Sequence, residues 1–169
     1  MSRSATAAFA AAFMALGAAA AGAAEYPAGN PQTVAGMEVG AVYLQPIEMD
    51  PPGMMKPAAG TDIHLEADVH ATGDNPNGFA EGDWIPDLAI SYDLQSEDGS
   101  FKTSGTFMPM VASDGPHYGD NVKLAGEGKY KLTFHISPPG TDSHFGRHVD
   151  KETGVAPWFA PFDVGYEFV

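Results

Sequence analysis

Residues 61–71, Thr-Asp-Ile-His-Leu-Glu-Ala-Asp-Val-His-Ala, alternate apolar side chains with side chains that bind metals or carry protons. On a β-strand, successive residues point to opposite faces, and residues two apart stand roughly 6.6 Å apart on the same face. Such a strand buries Ile63, Leu65, Ala67 and Val69 and lines up His64, Glu66, Asp68 and His70 on its other side. His64 and Glu66 can lean toward one ion or toward two neighbouring positions. Asp68 and His70 continue the row, as a surface polar stripe, as groups orienting the ligands, or as a secondary ion position. A His-x-Glu pair on a strand is by itself far more often a solvated edge than a site, so a site needs donors from elsewhere.

Two segments offer them. Residues 107–121 place Met108 and Met110 near a strand end and follow them with Asp114-Gly-Pro-His117-Tyr118. An Asp-Gly-Pro turn reverses the chain and brings His117 back toward Met110. Residues 142–159 carry His144 and His148 among glycines, a loop that an ion or a partner subunit could order. A thioether beside imidazoles favours copper, since soft sulfur selects Cu(I) while imidazole suits copper, zinc and iron. Each residue also has a plainer reading. Met110 can be core filler, His117 and His148 can cap turns, and His135, between Phe134 and Ile136, reads as an outward-facing polar residue. His144 has no assigned role.

The chain has no cysteine. That removes thiolate catalysis, cysteine zinc sites, iron–sulfur clusters and His₂Cys copper sites, leaving His, carboxylate and Met to hold any metal. Residues 1–24 combine an early cation, Arg3, with a short Ala-rich apolar run and small residues ahead of Glu25. They read as a cleaved secretory signal, with residues 25–169 as one domain in the periplasm and no direct membrane insertion of the mature chain. That domain carries 7 basic residues against 22 acidic ones, a net charge of −15 with His neutral. Nucleic-acid binding, which needs a basic surface, is excluded; an acidic exterior attracts cations and aids solubility.

The elements that must position these side chains are short strands. Strands are predicted over 36–47, 62–71, 86–95, 100–112, 129–137 and 162–169, separated by Gly- and Pro-rich segments. Leu88, Ile90, Tyr92 and Leu94 share one face, as do Tyr130, Leu132, Phe134 and Ile136. Glu97-Asp-Gly-Ser100 reads as a hairpin turn. Residues 48–60, 72–85, 113–128 and 138–161 read as loops long enough to carry function. Six or seven such strands form an all-β fold, an antiparallel β-sandwich.

Six blocks of the sequence, in order, carry a family resemblance: GAVYLQPIEM, DIHLEADVHA, NPNGFAEGDWIP, MPMVASDGPHYGDN, YKLTF and FGRHVDKETGVAPWFAPFDVGYEF. From about Val34 to Val169 the chain resembles the periplasmic iron-uptake proteins of the FetP and ChpA type. The resemblance implies an immunoglobulin-like β-sandwich, a homodimer, and copper bound near the dimer interface. Its ligands would be His64, Glu66, Met110, His117 and His148, with His148 supplied within one subunit or across the dimer. It further implies an iron ion as a second metal and an inner-membrane iron permease as partner. The function expected is a periplasmic copper- and iron-binding protein that assists iron uptake and is not an enzyme. A copper-dependent redox enzyme acting on iron is the competing expectation. A structural or adhesive sandwich with incidental histidines is a third.

Overall fold

The computed structural model describes residues 24–169, and all but the last residue of the expected signal segment 1–24 lies outside them. Ten strands follow one another: β1 (Tyr26–Pro27), β2 (Gln32–Val34), β3 (Met37–Leu44), β4 (Ile63–Ala71), β5 (Ala89–Ser96), β6 (Lys102–Thr106), β7 (Met108–Ala112), β8 (Gly115–Val122), β9 (Tyr130–Ser137) and β10 (Phe162–Phe168). One sheet runs β1-β3-β4-β8-β7, with β2 also paired to β3, and the other runs β10-β9-β5-β6. Every pairing is antiparallel. Among the described residues there is no helix, so none is long and apolar enough to cross a membrane.

The two sheets bury their facing apolar rows against one another, as alternation dictates. Leu65, Ala67 and Val69 of β4 are fully buried, and Ile90, Tyr92, Leu94, Leu132, Phe134 and Ile136 close the core from the second sheet. Tyr166 packs on Phe134, with ring centroids 5.3 Å apart, and its hydroxyl donates to the Val39 carbonyl at 2.7 Å, tying β10 to the opposite sheet. This two-sheet antiparallel sandwich is compatible with the immunoglobulin-like plan. Two hairpins turn on glycine: Ala35-Gly36 between β2 and β3, with φ of 55° and 74°, and the Glu97–Ser100 turn, with Gly99 at φ 71°.

Two elements differ from the sequence expectation. The single strand expected over 100–112 is two, because the chain passes from one sheet to the other at Phe107. The Phe107 ring lies 5.0 Å from that of Tyr92 and 5.2 Å from that of Phe134, so it caps the core where the chain crosses. Pro109 then sits in β7, an edge strand, where a missing N–H does no harm. The second difference is β8, which occupies 115–122 inside the loop expected over 113–128. Its Gly, Pro, Asp and Asn content is poor for a strand. Those residues serve the site instead.

Candidate metal centre

The outer face of β4 is not solvated where it carries His64 and Glu66. His64 is fully buried and Glu66 is 5% exposed. Both gain their neighbours from β8, in which His64 pairs with Asn121 and Glu66 with Gly119, so the next outward residue of β8 is His117. The β7–β8 hairpin turns through Ser113 and Asp114 and sets Met110 directly across from His117. Three strands thus bring four of the expected ligands to one place. His64 Nε2 lies 3.4 Å from Glu66 Oε1, and His117 Nε2 lies 3.3 Å from the same oxygen. Donor atoms of the three residues fall within 4.8 Å of one another. Met110, 9% exposed, lines with Glu66 and His117 a cavity of 440 Å³ that reaches Glu25 and Asp114.

The electrostatics of the cluster are those of a site waiting for a cation. Neither His64 Nε2 nor His117 Nε2 has a hydrogen-bond partner, although both atoms are buried. Buried polar atoms are nearly always partnered, and an orphan calls for an ion, a water or a chemical role. Burial holds His64 down at about 4, so its imidazole is neutral and its ring can offer a lone pair. Burial, with the charges of Asp68, Glu25 and Asp114, pushes the Glu66 carboxyl up to about 8. A carboxyl that holds its proton so firmly gives it up most readily to a stronger positive charge. Two imidazole nitrogens, one carboxylate oxygen and a neighbouring thioether suit copper in either oxidation state.

A second, more acidic hollow of 220 Å³ adjoins the first, with Glu66 and His117 on its wall beside Asp68, His70, Asp114 and Glu25. A hydrogen bond to Asp114 raises Glu25 to about 7, and the same bond lowers Asp114, so the two share a proton. Burial raises Asp68. Oxygen donors of this kind suit harder cations than the sulfur-bearing side does.

His148 stands apart from these residues, exposed on the segment between β9 and β10. Its Nδ1 meets Thr153 Oγ1 at 2.8 Å, and that hydroxyl donates to Asp150 Oδ2 at 2.8 Å. The hydroxyl proton is committed to the carboxylate, so Nδ1 is the donor to Thr153, and Nε2 has no partner among the described residues. His144 is exposed. His135 faces outward from the second sheet, between Asp163 at 2.7 Å and Asp93 at 3.2 Å.

The sequence reading missed Gly119, Asn121 and Glu25. The first two were legible in principle: with His117 they form a period-2 row once 115–122 is read as a strand. Gly119 is required by contact, since a Cβ there would stand 2.6 Å from His64 Nε2. Glu25 carries no local signal, because only the pairing of β1 with β3 fixes the residues around it near Asp114.

A family model described as Fe2+ transport protein matches residues 22–169. A UPF0423 protein of Brucella abortus is 63% identical over 147 residues, which cover 86% of this chain and 81% of that protein. Among solved structures, a copper-bound glutamate-to-glutamine variant of FetP from uropathogenic Escherichia coli is 59% identical, with a TM-score of 0.82 over 86% of this chain and 96% of that one. The copper-reconstituted P19 protein of Campylobacter jejuni is 54% identical, with a TM-score of 0.82 over 86% and 95% of the two chains. With the match running the length of the described sandwich, this chain belongs to the Fe2+ transport protein family.

Proposed function

We propose that this protein is a periplasmic metal-binding component of iron uptake, holding copper at His64, Glu66, Met110 and His117 and binding iron. The observation that carries the reading is the buried meeting of two unpartnered imidazole nitrogens on one carboxylate oxygen. Copper-bound structures of FetP and P19 support the choice of metal, and the Fe2+ transport family supports the process served. The carboxylate hollow flanked by Glu25, Asp68 and Asp114 offers iron the oxygen donors it prefers, one side chain away from the sulfur-bearing cavity. Copper at the nitrogen side supports redox handling of the iron held beside it.

His148 joins the ligand set from a second copy of the chain. Its separation from the cluster within one chain, its exposure and its Nε2, unpartnered among the described residues, all support a bridging role in a homodimer. Periplasmic placement is supported by the secretory character of residues 1–24 and by FetP, which was expressed in the periplasm. The recipient of the iron is an inner-membrane permease. A redox enzyme acting on iron is the second reading, favoured by a hollow for a hard cation directly against the copper ligands. Catalysed Fe(II) oxidation well above that of free copper would decide for it.

Metal analysis and copper titration of the exported protein, wild type against His117→Ala, test the main reading. Loss of copper stoichiometry with the fold retained supports it, and full retention of copper overturns the site. Deleting the gene in a host that carries the matching permease should impair growth on limiting iron.

A further inference from the structure

Asn121, fully buried beside His64, spends every hydrogen-bonding position it has. Its Nδ2 donates to the carbonyls of Ile47 at 2.8 Å and Lys56 at 2.9 Å. Its Oδ1 accepts the Ile47 N–H at 3.2 Å and faces His64 Nδ1 at 3.0 Å. The amide has only one possible orientation. Reversing it would set an oxygen against two carbonyls and an NH₂ against the Ile47 N–H, leaving three backbone groups in conflict. With Oδ1 fixed as the acceptor, His64 Nδ1 must carry the ring proton.

We infer that Asn121 is the positioning residue of the metal centre: it holds the His64 proton on Nδ1 and so keeps the Nε2 lone pair aimed at the ion. This rests on the metal-binding reading above but goes a step further, to what makes His64 a ligand. Without Asn121 the ring has a competing arrangement at hand. Glu66 Oε1 is 3.4 Å from His64 Nε2, so a small shift of either side chain would let an Nε2–H donate to it. That bond would occupy the lone-pair position and one ligand oxygen together. Asn121 removes the competitor by offering Nδ1 a fixed acceptor, as partners of metal-bound histidines do by fixing the tautomer. The same amide clasps residues 47 and 56, so the segment covering His64 and the ring's protonation are set by one side chain.

The test has a readout that needs no metal. Two-bond ¹H–¹⁵N correlation spectra of the metal-free protein report which ring nitrogen of His64 is protonated. The inference expects Nδ1–H in the wild type, retained in Asn121→Asp, whose carboxylate still accepts from Nδ1, and replaced by Nε2–H in Asn121→Leu. Copper titration should then show a loss of about tenfold or more for Asn121→Leu and a smaller loss for Asn121→Asp. An Nε2–H tautomer in the wild type, or an unchanged tautomer in Asn121→Leu, overturns the inference. If Asn121→Leu fails to fold, the wild-type and Asn121→Asp spectra still decide. Should the wild type bind no copper, the function proposed above fails, while the spectra judge the tautomer independently.

Discussion

Glu66 is the residue on which the chemistry of this cluster turns, because its carboxyl faces two unpartnered imidazole nitrogens and is held up at about 8. The sign of its effect on stability follows. A carboxyl raised in the folded state stabilises fully below its unfolded value near 4.5, and that contribution fades as pH rises toward 8. His64, lowered to about 4, works the other way: it stabilises above 6.5 and loses that contribution as pH falls through 4. The two slopes oppose each other between about 4.5 and 6.5. Above that the His64 slope is gone and the Glu66 slope remains, up to about 1.4 kcal/mol per pH unit for a single proton, joined up to about 7 by a weaker, solvent-screened one from Glu25. Thermal unfolding of the metal-free protein should therefore show a melting temperature that falls from pH 6.5 to 8, with most of the fall lost in Glu66→Gln. Copper, which displaces the proton, should bind the wild type more tightly as pH rises over that interval. Gly119 gives a second prediction at this scale. Its replacement by Ala sets a methyl 2.6 Å from His64 Nε2, which costs about 1–3 kcal/mol through overpacking. It should also weaken copper binding by about tenfold as the ring is displaced. Denaturation and titration of that variant check both effects.

At the scale of elements, the centre is made by the β4–β8 ladder and by the segment between β3 and β4 laid across it. That segment is fastened twice, by its Ile47 and Lys56 backbone groups to Asn121 and by the Lys56 side chain. Lys56 Nζ lies 2.6 Å from Asp120 Oδ2, which also accepts from the Tyr92 hydroxyl at 2.9 Å in the opposite sheet. Asp120 is 6% exposed, so these two partners take the place of water around its side chain. Removing the ammonium in Lys56→Ala leaves a buried carboxylate with the phenol alone, a loss of about 1–2 kcal/mol. The same change should speed amide exchange across residues 47–56 in hydrogen-exchange measurements, because one of the two fastenings is gone. Element type was well legible where alternation was strong: β4, β5 and β9 follow the predicted apolar rows closely, and β10 falls within the strand predicted over 162–169. β8 was not legible, because residues chosen to serve the ligands had replaced those that favour strands. The break at Phe107 was hidden for a different reason, since a strand that changes sheets keeps the same local alternation on both sides of the crossing.

The whole molecule adds a requirement that no single strand expresses. Within one chain His64, Glu66, Met110 and His117 share a locality, while His148 stands exposed, its Nδ1 held by Thr153. If a second copy brings His148 to the cluster, copper affinity should rise with protein concentration through the range in which sedimentation shows dimer forming. His148→Ala should then weaken copper binding with little change in melting temperature, because the side chain is surface-exposed in its own chain. Concentration-independent affinity, equal in wild type and variant, would place the complete site in one subunit.

The sequence by itself determined the fold class, the donor types on hand for a metal and the pairing of Met110 with His117, because alternation, turn residues and the lack of cysteine are local properties of the chain. The family resemblance selected His148 over His144 and added iron to the copper that the thioether already favoured. Only the tertiary structure decided that the polar side of β4 is dry, that Gly119 clears space for a ring and that Asn121 fixes its proton. The reason is physical. Burial, shared lone pairs and the dielectric around a carboxylate depend on what the other strands place there, and segments 50 or more residues apart in sequence meet at His64.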